Sequence, residues 1–248
     1  MIEIALGLAF VFLVLVFFYK QTSEEFHILQ IESEKLETLP ELLSEKDPIV
    51  VRGLGQPKLL TPETLRGSRF QTFPVSRGFT LGEYLAEPEG KVLEPLPEEV
   101  RKRFANEVGL QVWAEHMWFP KITEDLPYSF IMSLESEVYM TGMGMRKTAA
   151  ATTLLYPTSG TFTCSIAMAS ATKYLPAKWQ DRFIADLKAD DSPLLHEVQY
   201  LDIILRPGHI LMVPPHWIVS MRATKGEIPI FGWIEIHHPI SKLEKLLS

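Results

Sequence analysis

After Pro127 the chain breaks into short apolar or alternating runs: SEVYMTGMG (136–144), ATTLLYP (151–157), TFTCSIAMA (161–169), EVQYLDIIL (197–205), HILMVPP (209–215), WIVSMRA (217–223) and PIFGWIEI (229–236). Turn signals separate most of them, among them Pro207-Gly208, which suits a type II turn because glycine supplies the positive φ. Many short strands joined by turns predict a sandwich or a barrel. One interruption, PAKWQDRFIADLKA (176–189), has the spacing of a helix.

Upstream, LETLPELLSE (36–45) has helical spacing, and DPIVVRGLG (47–55) is a β-branched run between Pro and Gly that predicts a buried strand. TPETLRG (61–67) opens with a capping Thr and a Pro at the first helical position. FTLGEYLAE (79–87) predicts a short helix, and PEGKVLEPLPEE (88–99) an exposed connector. PEEVRKRFANEVG (97–109) predicts a helix closed by Gly109. These elements form one domain over residues 37–240, preceded by a tether over 21–36 and followed by a short amphipathic helix over 241–248.

The first twenty residues, MIEIALGLAFVFLVLVFFYK, carry no charged side chain from Ile4 to Tyr19. At about 1.5 Å per residue, such a run nearly spans a bilayer core of about 30 Å. Phe17, Phe18 and Tyr19 followed by Lys20 resemble an interfacial belt with a cationic anchor. A cleaved signal peptide would want a basic start and a small-residue cleavage site, and neither is present. Residues 1–20 are therefore expected to be a single-pass transmembrane anchor, the bilayer being the first partner of the chain. Lys20 on the C-terminal flank favours a cytoplasmic domain.

A net charge of −7 and a pI near 5.6 argue against nucleic acid as a partner. The run Arg101-Lys102-Arg103 follows Glu98 and Glu99 and is expected to be a solvated helix face. The single cysteine, Cys164, lies in an apolar run and is expected to be a core thiol. The single asparagine, Asn106, is not in a glycosylation sequence.

Four segments carry a resemblance: LPELLSEKDPIVVRGLG (39–55), FTLGEYL (79–85), YMTGMGMRKTAAATTLLYP (139–157) and RPGHILMVPPHWIVSM (206–221). In this order they resemble Jumonji-C-like, cupin-like domains of the 2-oxoglutarate Fe(II) oxygenase superfamily, the last motif being the most specific. The resemblance implies a mainly β fold with flanking helices, a double-stranded β-helix of the cupin or jelly-roll barrel type, here added to an N-terminal transmembrane helix. In active members an HxD/E pair and a distal His hold Fe(II), leaving open positions for 2-oxoglutarate and oxygen. In this chain the matching positions hold Ala151, Thr153 and Val219, and there is no His, Asp or Glu between Glu137 and Asp181. A methyl, a hydroxyl and an isopropyl group do not hold Fe(II), so neither metal nor cofactor is expected, and the interior is expected to favour apolar packing. Lys173 resembles the lysine that pairs with the 2-oxoglutarate carboxylate, and without a metal it becomes a rim or surface residue.

Trp113, His116, Trp118, His216 and Trp217 are candidate pocket or partner-surface residues, while His209 and His216 also suit turns. His237 and His238 are adjacent and so point to opposite faces of a strand. The functional expectation is a membrane-anchored pseudoenzyme that binds or scaffolds a protein partner. The rivals are a 2-oxoglutarate-dependent Fe(II) oxygenase with relocated ligands, drawn from His116, His196, His209 or His216, and a structural component of a membrane-associated assembly.

Overall fold

The computed structural model describes residues 26–55, 60–67, 69–76, 78–86, 95–124, 126 and 128–242, together with 4, 6, 7 and 9–14. Most of the proposed anchor, most of the connector over 88–99 and most of the terminal helix over 241–248 lie outside the described residues. Among those described, no helix is long and apolar enough to cross a membrane.

The chain enters through strand β1 (Leu29–Glu32), a 3₁₀ segment (Ser33–Thr38) and helix α1 (Leu39–Ser44), then strand β2 (Ile49–Arg52). Helix α2 (Pro62–Leu65) starts where the sequence places it: the Thr61 side chain accepts the Thr64 N–H at 3.3 Å, and Pro62 needs no donor there. A small hairpin of β3 (Pro74–Ser76) and β4 (Phe79–Thr80) leads to α3 (Leu81–Ala86). Helices α4 (Glu98–Glu107), α5 (Leu110–Met117) and α6 (Phe119–Thr123) follow, with Gly109 at φ 81° turning the chain between the first two.

The expected strands then appear in sequence: β5 (Ser133–Tyr139), β6 (Met143–Lys147), β7 (Thr152–Ser159), β8 (Phe162–Ala167), β9 (Tyr200–Leu205), β10 (Ile210–Val213), β11 (Ile218–Ala223) and β12 (Ile230–His237). They form a six-stranded sheet of order β1-β2-β10-β7-β12-β5 and a four-stranded sheet of order β6-β11-β8-β9. From β5 onward the chain alternates between the two sheets, staying in the smaller one only at β8-β9. Pro207-Gly208 turns β9 into β10, with His209 N–H donating to Arg206 O at 2.9 Å and Gly208 at φ 89°.

Period-two alternation gives the larger sheet two different faces. Leu154, Tyr156, Ile234 and Ile236 point outward into a core shared with the helices, through Phe104, Leu110 and Ala114. Leu155, Leu211, Phe231 and Trp233 point inward, against Phe162, Cys164, Val219 and Met221 of the smaller sheet. Phe162 meets Phe231 edge to face at 5.2 Å across this inner core. Cys164 is the core thiol expected, and burial holds its proton on.

Two expectations are corrected. Among the described residues helix accounts for 35% and strand for 30%, so the class is mixed helix and sheet rather than mainly β. The segment 176–189 is not a helix: it is turns and a short 3₁₀ stretch, Ile184–Asp186. Its backbone is committed to β6 instead, with Met145 N–H donating to Arg182 O at 2.7 Å and Asp181 N–H to Met145 O at 3.2 Å. Gly144 permits this approach; a Cβ there would lie 2.1–2.4 Å from the Asp181 backbone.

Candidate functional site

Ala151, Thr153 and Val219 do not together line either of the two clefts of largest volume among the described residues. Val219 is buried on the inner face of the smaller sheet, Thr153 is buried on the inner face of the larger one, and Ala151 lies in the wall of an apolar groove. Across the smaller sheet the partner of Val219 is Arg146. Directly paired residues of an antiparallel ladder project to the same face, so Arg146 shares the inward face with Val219.

Arg146 is the centre of a polar group that the apolar-interior expectation does not foresee. Its guanidinium lies over the Trp233 ring at 5.0 Å, donates to Tyr139 Oη at 3.0 Å and reaches Glu137 at 3.5 Å. Glu137 has 2% of its side chain exposed, accepts from Arg101 Nε at 2.7 Å and accepts the Tyr139 hydroxyl at 3.0 Å. Arg101 also covers the Tyr139 ring at 4.6 Å and donates to Leu96 O. Burial works against charge on Arg146, but Tyr139, Glu235 and Glu137 outweigh it and hold the guanidinium firmly protonated. Burial also raises Tyr139, so its hydroxyl stays a donor.

The neighbouring inward positions along β5 and β12 are charged as well. Glu135 faces Glu235 across the ladder, and Glu235 faces Thr153 on its other side. His237 Nε2 lies 3.3 Å from Glu235 Oε2. Lys102 reaches round the sheet edge from α4 to Glu135 at 2.9 Å while keeping Glu98 at 2.8 Å, and Lys242 approaches Glu135 at 3.7 Å. Burial pulls Lys102 toward its neutral form, but Glu98 and Glu135 prevail and raise its pKa. The solvated-face reading of Arg101-Lys102-Arg103 is thereby corrected: Arg101 and Lys102 serve the charged edge of the sheet, and only Arg103 is well exposed.

Two clefts open near this end of the fold. One, of about 550 Å³, is bordered by Arg101, Tyr139, Arg146, Lys147, Asp181 and His216. The other is an apolar groove of about 560 Å³, lined among others by Leu43, Ile131, Ala151, Met212, Pro239 and Ile240. Phe130, 83% exposed, is adjacent in sequence to its wall residue Ile131.

The remaining candidates are dispersed. Trp118 and Trp217 are buried packing residues, and Trp113 stacks on Tyr156 at 5.0 Å. His116 is exposed on α5 and joins none of them in a pocket. His216 holds a left-handed turn at φ 72°, its N–H donating to Thr148 O at 2.7 Å, and it also borders the polar cleft. Lys173 is exposed, with Nζ 4.7 Å from the Tyr174 ring, and belongs to neither cleft. Glu135, Glu137, Arg146, Trp233 and Glu235 are not among the candidates that the sequence suggests. A signal for them is present all the same: Glu135, Glu137 and Tyr139 sit two apart in one strand, and Trp233, Glu235 and His237 sit two apart in another that is otherwise apolar.

Comparison with protein-family models gives no match for this sequence, and no curated protein matches it.

Proposed function

We propose that this chain is a membrane-anchored, non-catalytic binding module built on a Jumonji-C-like, cupin-like barrel, with residues 1–20 as its anchor. Three observations support the reading. From β5 to β12 the strands pass back and forth between two sheets, staying in one only at β8-β9, an order that suits a double-stranded β-helix. The family's ligand positions hold Ala151, Thr153 and Val219. Two clefts, of about 550 and 560 Å³, stay open beside the polar end, a size that suits recognition of a partner segment or small molecule.

The observation that carries it is the pairing of Val219 with Arg146. A fixed guanidinium beside the distal-ligand position supplies positive charge from the chain itself and opposes a cation there. No 2-oxoglutarate-linked turnover is therefore expected. The full chain in mild detergent, given Fe(II) and 2-oxoglutarate, should form no succinate. It should also gain no thermal stability from 2-oxoglutarate beyond that given by metal alone. Succinate formed in step with enzyme concentration would overturn the reading. Capture from native membranes should recover a partner that Phe130→Asp or Arg146→Gln loses.

A further inference from the structure

The charged edge formed by β5 and β12 holds donors that the iron-triad positions lack. Glu135, Glu235 and His237 each offer one ligand atom, and these atoms lie within 4.8 Å of one another. First-row divalent ions bind carboxylate oxygen and imidazole nitrogen at about 2.0–2.2 Å, so neighbouring ligand atoms around a tetrahedral ion stand about 3.4 Å apart. His237 Nε2 and Glu235 Oε2 already stand at that separation, 3.3 Å, and the Glu135 carboxylate would close on an ion by approaching by up to about 1.4 Å, which side-chain rotation supplies.

The hydrogen bonds around His237 point the same way. Ser241 Oγ accepts the His238 N–H at 3.0 Å and donates its one proton to His238 O at 2.8 Å. It can therefore only accept from His237 Nδ1, 3.4 Å away, which assigns the Nδ1 proton from the network. Nε2 then faces Glu235 Oε2, 3.3 Å away. A ligating histidine whose second nitrogen is held by an outer hydrogen bond is the arrangement metals use. Thr153 is an independent sign. It is fully buried, it is the direct cross-strand partner of Glu235 on the inward face, and its hydroxyl oxygen has no hydrogen-bond partner among the described residues.

We infer that Glu135, Glu235 and His237 form a binding site for a divalent transition cation, Zn(II) or Mn(II) in class. The site is formed by β5 and β12 and does not use the family's triad positions. Two carboxylates and a neutral imidazole carry the two negative charges that such an ion needs. Arg146 faces Glu235 but is held by Glu137 and Tyr139. Lys102 and Lys242 compete for Glu135, and Lys102 retains Glu98 when displaced.

The test is calorimetric titration of the full chain, stripped with chelator in mild detergent, with Zn(II) alone. One saturable equivalent should bind. Glu235→Gln and His237→Gln should each weaken it at least tenfold, and Ser241→Ala should weaken it about 10–100-fold through loss of the outer hydrogen bond. Lys102→Met should tighten binding by freeing Glu135, an effect opposite to that of general damage to the fold. Absence of saturable uptake overturns the site, and so does uptake that Glu235→Gln and Lys102→Met leave unchanged. Nitrogen NMR shifts showing both His237 nitrogens protonated with Zn(II) present would also overturn it. If His237→Gln does not fold, the Glu235 and Lys102 variants decide.

Discussion

Leu154 and Thr153 are neighbours in β7 and face opposite ways, and they divide the larger sheet into two kinds of interior. Outward, Leu154 joins a mostly apolar face, interrupted only by uncharged Thr152 and Ser136 among the neighbouring described positions and covered by helices. Inward, Thr153 stands in a row with Val213, Glu235 and Glu135. The next inward row, Leu211, Leu155, Trp233 and Glu137, is again apolar until it reaches the β5 edge. Buried apolar surface stabilises at about 25 cal/mol per Å². A buried charge costs several kcal/mol that its partner at best returns. The outward face is explained by stability alone. The charged edge of the inward face is not, and that asymmetry is what the proposed cation site accounts for.

Substitutions on the two faces put this contrast to the test. Leu154→Ala should cost about 3 kcal/mol in chemical unfolding, from lost transfer energy plus a cavity; a cost below about 1 kcal/mol would mean that the outer core is loose. Glu137→Gln should cost about 2 kcal/mol, because it leaves Arg101 without its buried counter-charge while the amide can still accept a bond. Adding Arg101→Gln should recover part of that loss in a double-mutant cycle. Thr153→Val, one residue from Leu154, should be neutral or stabilising by up to about 1 kcal/mol, since it removes an unsatisfied buried hydroxyl at constant shape.

The smallest effect concerns His238, whose Nδ1 accepts the Ile240 and Ser241 N–H groups at 3.1 and 3.2 Å. Burial, ahead of all other causes, lowers its pKa from the ordinary value of 6.5. The unfolded chain thus binds this proton more readily than the folded one. The contribution is fully present above pH 6.5 and is lost as pH falls through the folded value. Melting temperature should fall between about pH 7.5 and about pH 5.5, and His238→Asn should flatten that fall slightly. A fall of the same depth in both proteins would remove His238 as its source.

Much of the strand framework was legible because each strand is short, apolar and bounded by a turn residue, as ATTLLYP and HILMVPP show. The segment 176–189 was not, because its helical spacing yields to long-range bonds with Met145 that no local pattern encodes. The burial of Thr153 and Val219 agrees with the apolar runs in which the sequence places them. The charged group was not assembled, because Arg101 lies 36 residues before its partner Glu137 and Lys102 lies 33 before Glu135. Helical charge patterning alone makes those cations look solvated.

The most direct measurement is urea unfolding of the double variant Glu235→Leu, His237→Leu beside the unaltered chain, with Zn(II) titration of both. If the inward charges serve binding, apolar replacement should leave stability unchanged or raise it by about 1 kcal/mol or more, while Zn(II) uptake disappears. A loss of about 3–5 kcal/mol, the cost of breaking a buried pair on which the fold depends, would contradict the account.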